Sequence, residues 1–365
     1  MRNVTNCAFF NARSLCNKLP DLYSLLDGSL HNRKFNLLFV CETWLTDNIT
    51  NGLLLYNSND YVLIRHDRIG GVGGGVCVFI DTSLIYFVVS LPDEFASLEV
   101  VCIDVLQGND RHRYICIYRP PSYDIVQTGL LTKCMSHLCD GKSFTICTDF
   151  NLPNFNWNCN FDVNNLCSLD ACLADFIVCN GAMQLITEPT RKSNTLDLLL
   201  VNDSMSAYDV TVAAPFSTSD HCMLTWLAHC PINKASPSMP KHDYRRADYN
   251  GLSLYFSNVD WLAIFAQVPP SDVNGVWLVF KNVLSQAVDV FVPLVGVKRR
   301  RKLYKYPLFV RRALKRKQAL WRCRHQPGML EQYKQQAARC KRLICKCHVR
   351  AEKRLINSES VSAFY

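Results

Sequence analysis

Over the first 230 residues, short apolar runs recur at close spacing, and several of them end in a compact polar island. The runs fall at 4–10, 36–41, 61–65, 75–80, 98–105, 113–118, 144–147, 196–201, 210–214 and 222–227. Each is rich in β-branched or aromatic residues and bounded by Asn, Asp, Gly or Pro, which predicts strands. Helical spacing is confined to about 18–30, 125–139 and 166–180, the last with apolar residues at 169, 173, 176 and 177 on one face. So many strands with so few helices constrain this region to two packed sheets flanked by helices.

Charge divides the chain where the texture changes. The 365 residues carry a formal charge of +9, but residues 1–230 hold 14 Lys and Arg against 23 Asp and Glu, whereas residues 231–365 hold 26 against 8. An acidic domain at 1–230 is therefore joined, through a Pro-containing linker at 231–248, to a basic region at 249–365. In that region 249–268 and 273–290 look helical, and 298–354 is dominated by Lys and Arg with Leu, Trp and Tyr at helical spacing. The 19 cysteines are odd in number and irregular in spacing, and several sit inside apolar runs, as do Cys77, Cys102 and Cys116. This argues against a disulfide framework and for a reducing, intracellular setting, nuclear or cytoplasmic. Neither a membrane span nor a secretory signal is legible, so no membrane partner is expected.

The polar islands are Asn11-Ala12-Arg13-Ser14, Glu42-Thr43-Trp44, Tyr118-Arg119-Pro120-Pro121, Asp149-Phe150-Asn151 and Ser219-Asp220-His221, with Asn194-Thr195-Leu196-Asp197 shortly before the last. Asn, Glu, Tyr, Asp and His delivered from strand ends are the groups that metal-assisted phosphodiester hydrolysis requires. Glu42 offers a hard oxygen for Mg²⁺. Asp149 and Asn151, two apart, fall on one side of an extended strand end, where one can orient water while the other holds a phosphate oxygen. His221 offers an imidazole to phosphate, with Asp197 to fix its tautomer.

The ordered set over about residues 3–228, extended by Arg65-His66-Asp67-Arg68 and the glycine-rich 70–75, resembles the endonuclease domain of non-LTR (LINE-type) retrotransposons, within the endonuclease/exonuclease/phosphatase superfamily. The resemblance implies a four-layer α/β sandwich, two packed mixed sheets flanked by helices, followed by a mostly helical basic extension. It implies Glu42 as the principal metal ligand, with Asn11 and Asp220 around the metal. Tyr118 and Asn151 would contact the scissile phosphate, Asp149 would activate water or assist the leaving group, and Asp197 and His221 would form the Asp–His pair. The expected cofactor is Mg²⁺, with Mn²⁺ able to substitute. The implied activity is nicking of one DNA strand to leave a 3′-hydroxyl for target-primed reverse transcription. Two positions depart from the pattern. Arg13 stands where apurinic/apyrimidinic endonucleases carry an acidic ligand, as retrotransposon enzymes generally do not, and Thr148 stands where a glycine usually precedes the aspartate.

The basic region resembles the connector that precedes a reverse transcriptase, while the polymerase motif Tyr-x-Asp-Asp is absent from this chain. Arg299, Arg300 and Arg301, then Arg311, Arg312, Lys315, Arg316 and Lys317 with interleaved aromatics, predict a surface for DNA or for element RNA. Arg13, Arg65, Arg68 and Arg119 are further candidates for nucleic-acid contacts. Residues 70–76 precede a strand and lack a following Lys-Ser/Thr, so they read as a hairpin and not as a phosphate-binding loop. Cys340, Cys345, Cys347 and His348 do not have common zinc-finger spacing. Two rival readings are a catalytically decayed nucleic-acid-binding fragment and a lipid or inositol phosphodiesterase of the same superfamily.

Overall fold

The near-continuous apolar runs have a direct physical consequence: strands that are hydrophobic on both faces need cover on both faces. The structure, a computed structural model, describes residues 4–28, 34–55, 60–107, 110–155, 168–229, 241–266, 268–269, 272–295 and 306–357. It contains two six-stranded mixed sheets. In chain order the elements of the sandwich are β1 (Thr5–Asn11), α1 (Leu19–Leu26), β2 (Leu37–Cys41), α2 (Asn51–Leu55), β3 (Tyr61–His66), β4 (Val76–Asp81), β5 (Tyr86–Val89), β6 (Val100–Gln107), β7 (Asp110–Tyr118), α3 (Ile125–Cys139), β8 (Phe144–Asp149), α4 (Ser168–Cys179), β9 (Met183–Gln184), β10 (Asp197–Val201), β11 (Tyr208–Ala213) and β12 (Met223–Ala228). The first sheet runs β11-β12-β1-β2-β4-β3 and the second β5-β6-β7-β8-β10-β9.

Alternation along each strand divides the core into three. Cys7 and Phe9 of β1 join Phe39, Tyr114, Cys147 and Trp226 between the sheets. Ala8 and Phe10 face the other way, onto a layer with Leu22, Leu25 and Phe216. The outer face of the second sheet packs Ile115 and Ile146 against Leu131, Met135, Leu173 and Phe176 of α3 and α4. This is the four-layer sandwich. The described cysteines are all free, most of them buried among these apolar side chains. The glycine-rich run forms the turn of the antiparallel β3–β4 pair. Gly74 is required there, since its φ is +67° and a Cβ would strike the Arg68 guanidinium.

The rest of the chain divides differently from the boundaries expected at 231–248 and 249–365. Residues 303–365 group with residues 1–234, and residues 235–302 form a second unit. In the first unit, α8 (Leu308–Arg322) and α9 (Met329–Ile356) make a helical hairpin. Its seam contains Tyr306, Val310, Leu314, Cys340 and Ile344. Anchors explain why it stays with the sandwich: the Tyr306 hydroxyl donates to the Pro20 carbonyl at 3.3 Å, and Trp321 packs against the core between the sheets. The second unit holds a short strand pair, β13 (Lys241–His242) with β14 (Leu294–Val295), and helices α5 (Tyr249–Ser257), α6 (Trp261–Phe265) and α7 (Val273–Phe291). The run expected as one helix at 249–268 breaks because the Asp260 side chain accepts from the Ala263 amide and starts a new helix.

Candidate active site

Strand register brings the polar islands to one level. β1 and β2 are parallel with Asn11 opposite Cys41, so Asn11 and Glu42 leave the first sheet side by side. In the second sheet Tyr118 lies opposite Asp149, and Asp149 lies opposite Asp197. His221 precedes β12, the other neighbour of β1.

Side chains then tie the two sheets together. The Asn11 amide donates to Glu42 Oε1 and to Asp149 Oδ2, both at 2.8 Å. Glu42 also accepts from the Tyr118 hydroxyl at 3.1 Å and the Trp44 indole at 3.3 Å. His221 Nδ1 lies 2.9 Å from Asp197 Oδ2 and 3.7 Å from Asp149 Oδ2. Seven residues drawn from six separate stretches of sequence therefore form one continuous set of contacts. With Nδ1 engaged by Asp197, Nε2 is the His221 nitrogen left to act on a substrate.

Burial and neighbouring charge set the protonation of this cluster. Burial pushes the Asp149 carboxyl upward, and the adjacent Asp197 charge adds to the shift. For His221, burial alone would lower the ring, but the charge and hydrogen bond of Asp197, with Asp149 behind, outweigh it and raise it to about 9. Burial and the charge of Glu42 likewise push the Tyr118 hydroxyl up, so it stays a donor at neutral pH.

The remaining expected residues occupy different environments. Asp220 is paired with Arg13 at 3.0 Å and Arg191 at 2.8 Å, whereas Glu42 is bonded to Asn11, Tyr118 and Trp44. Burial works against ionisation of Asp220, but the two guanidinium bonds dominate and hold it at about 2. The strand β8 ends at Asp149, and Asn151 has a left-handed φ of 52°, so the pair is not carried on one extended segment. The Asn151 amide donates to the Arg119 carbonyl at 2.9 Å.

Several expected nucleic-acid contacts point inward. Arg119 is 1% exposed and donates to Thr128 Oγ1 and the Tyr123 carbonyl. Arg65 is bonded to Asp67 and to the carbonyls of Ile49 and Thr46, and Arg68 to Glu99. These three are structural because their guanidinium groups satisfy buried or half-buried oxygen atoms. Lys317 is half-buried and donates to the Pro215 carbonyl, and Arg311 is half-buried too. Arg312, Lys315 and Arg316 are exposed on α8. Arg299, Arg300 and Arg301 lie outside the described residues. Cys340 is buried in the hairpin seam while Cys345 is exposed. Among the described residues no helix is long and apolar enough to cross a membrane.

Three residues outside the polar islands, and Trp44 within one, support these groups. Lys18 is buried and donates to the carbonyls of Ala12 and Arg13, both at 2.6 Å, fixing the turn after Asn11. Thr190 is buried, and its hydroxyl accepts from the amides of Leu196 and Asp197, both at 3.0 Å. Arg191 pairs with Asp220, and Trp44 orients Glu42. A lone Lys or Thr in a loop carries no sequence signal of such a role. Left-handed backbone also concentrates here: Arg13, Ser14, Glu42, Trp44 and Asn151 have φ between 43° and 77°. Such geometry costs on the order of 1–3 kcal/mol per residue and marks sites that the surrounding structure holds in place.

The donor set suits a divalent cation. Among the described residues, the one group with metal-binding geometry is Asp149, Asp197 and His221, whose ligand atoms lie within 4.8 Å of one another. Glu42 adds a third carboxylate to this end, and its hydrogen-bond donors are all neutral, so its charge is oriented without being paired by them.

Residues 112–225 match the family described as Endonuclease-reverse transcriptase. No curated protein matches the chain. Similar solved structures include the endonuclease domain of TRAS1, a telomere-specific non-LTR retrotransposon, at 13% identity and a TM-score of 0.48, covering 63% of this chain and all of that one. The AP endonuclease LMAP from Leishmania major has the same identity and TM-score, with 63% and 89% covered. A 3′-5′ exonuclease from Neisseria meningitidis is similar at 16% identity and a TM-score of 0.44, with 61% and 98% covered.

Proposed function

We propose that this protein is a Mg²⁺-dependent endonuclease that nicks one strand of DNA and leaves a 3′-hydroxyl able to prime reverse transcription. The observation that carries the reading is the convergence of Asn11, Glu42, Tyr118, Asp149, Asp197 and His221 at one end of the two sheets. The family match over residues 112–225 supports it. Glu42, held by Asn11, would hold the metal, with Asp220 nearby in sequence to His221 as a further carboxylate. When bound, the ion offsets charge on the phosphoryl oxygens.

The chain's own groups supply the remaining chemistry. Asp149, with its carboxyl pushed up by burial, takes or gives a proton at the attacking water or the leaving 3′-oxygen. His221 Nε2 donates to a phosphate oxygen, the Tyr118 hydroxyl would turn from Glu42 to a second one when Glu42 holds the metal, and Asp197 keeps the imidazole oriented. The second hydrogen of the Asn151 amide is left to bond a phosphate oxygen beside them. Arg312, Lys315 and Arg316 give the α8–α9 hairpin a cationic surface for DNA or element RNA. Supercoiled plasmid incubated with Mg²⁺ tests the proposal: relaxation to the nicked circle, abolished by EDTA, is expected, and polymerase extension from the nick reads the 3′-hydroxyl. A plasmid that stays supercoiled removes the enzyme reading.

A further inference from the structure

The helical hairpin meets the sandwich beside the segments that hold the Asp–His pair. Thr190 is the junction of those segments. Its carbonyl accepts from the Cys222 amide at 2.7 Å, one residue after His221, while its hydroxyl receives the amides of Leu196 and Asp197. Two residues earlier, Glu188 pairs with Arg324 in the turn after α8, and His325 lies 3.6 Å from the same carboxylate. The Arg324 side chain is largely covered, its guanidinium 4.6 Å from the centre of the Trp321 ring. Trp321 in turn donates to the Val212 carbonyl at 3.2 Å, and Lys317 reaches the Pro215 carbonyl at 3.5 Å. The hairpin thus grips both chain segments that lead into the pair: 188–197 on one side, and the exit of β11 towards Ser219-Asp220-His221 on the other.

We infer that the α8–α9 hairpin braces the Asp197–His221 pair, with Arg324 as a positioning residue acting through Glu188 and Thr190. A basic helix next to a nuclease site invites the simpler reading that its arginines contact phosphate. Arg324 differs from Arg312, Lys315 and Arg316: its charge is already matched by Glu188, and its face is occupied by an indole. Small displacements of catalytic groups are costly for rate, whereas a lost phosphate contact is costly for affinity. The brace therefore acts on kcat. The inference rests on the nuclease reading for its catalytic consequence and on geometry alone for its structural one.

The test uses the full chain with Arg324→Gln, Glu188→Gln, the double variant and Arg324→Lys. Nicking with Mg²⁺ is expected to show kcat reduced roughly tenfold in either single variant, with KM and salt dependence unchanged. The double variant is expected to be no slower than the singles, and Arg324→Lys to recover most of the rate. A raised KM with a flatter salt dependence and unchanged kcat in Arg324→Gln, or additive losses in the double variant, overturns the brace in favour of a phosphate contact. Native-state amide exchange at Asp197 and Cys222 reads the brace without activity, and faster exchange in both single variants is expected. Exchange identical to wild type overturns the inference, whereas a wild-type chain that never nicks removes only the nuclease reading.

Discussion

Two carboxylate clusters meet in sequence at Asp220-His221 and behave oppositely. The inner cluster, Asp149, Asp197 and His221, is buried to within 1%. The outer cluster, Asp220 with Arg13 and Arg191, is partly solvated, with Asp220 36% exposed. Burial raises the Asp149 carboxyl, while two guanidinium partners lower Asp220 to about 2. Asp220 and His221 are adjacent, yet one stays charged into acid and the other holds its proton into mild base at about 9. The contrast shows that environment, not residue type, divides acid–base duty from fixed charge. The inner cluster is suited to moving protons, and the outer cluster to holding the turns at Arg13 and Arg191 against the β12 approach.

The comparison can be broken most severely from the inside. His221→Ala is expected to slow plasmid nicking on the order of 10²- to 10⁴-fold. Glu42→Ala, which empties the centre of the Asn11–Tyr118–Trp44 bonds, should act on a similar scale, and circular dichroism should show both variants folded. A wild-type rate in His221→Ala would dissolve the inner cluster as the catalytic centre, and one in Glu42→Ala would remove Glu42 as the metal-holding carboxylate.

The pH dependence of stability sharpens the same contrast. The His221 ring is raised from 6.5 to about 9. Its contribution to stability is therefore complete below pH 6.5 and is lost as the pH rises through 9. Asp149, raised by burial, works in the same direction, because ionising it in the fold becomes progressively unfavourable. Without divalent metal, the melting temperature should fall between pH 6.5 and 9, and His221→Gln should flatten that fall. Asp220, lowered from 3.8 to about 2, contributes above 3.8 and loses its contribution as the pH falls through 2. A melting curve flat from pH 6.5 to 9 would contradict the assignment of the inner cluster.

Milder outcomes are expected at the outer cluster. Arg191→Ala and Asp220→Asn should each change stability by no more than about 1 kcal/mol, since partly exposed ion pairs contribute little. Chemical denaturation reads this directly. The smallest effect belongs to Thr148, which is buried beside Asp149 with a hydroxyl lacking a hydrogen-bond partner among the described residues. Thr148→Val keeps the shape and removes the unsatisfied group, so it should leave the fold as stable or up to about 1 kcal/mol more stable. A loss of 2 kcal/mol or more would mean that the hydroxyl has a partner.

Much of the sandwich was legible before any coordinates. The β-branched runs at 4–10, 36–41, 113–118 and 196–201 match strands, because a short continuous apolar run bounded by turn residues is the mark of a strand covered on both faces. The short strands β5 and β9 and the small helix α2 were not read, having too few residues to carry a pattern. As residue types, Arg65, Arg68 and Arg119 are candidates for nucleic-acid contacts. Their partners Asp67, Glu99 and Thr128 turn them inward, and for Arg68 and Arg119 the decisive neighbour lies well away in sequence or on another element.

Sequence by itself determined the strand-rich architecture, the acidic and basic halves, and the residue types standing at the strand ends. Tertiary structure alone decided that Asp149 faces Asp197 across a strand pair, that Asn11 bridges two sheets, and that Arg13 and Arg191 reach Asp220. The physical reason is range: propensity and periodicity act over neighbouring residues, whereas a carboxylate's protonation and partner are set by groups a few ångströms away in space and often a hundred or more residues away in the chain.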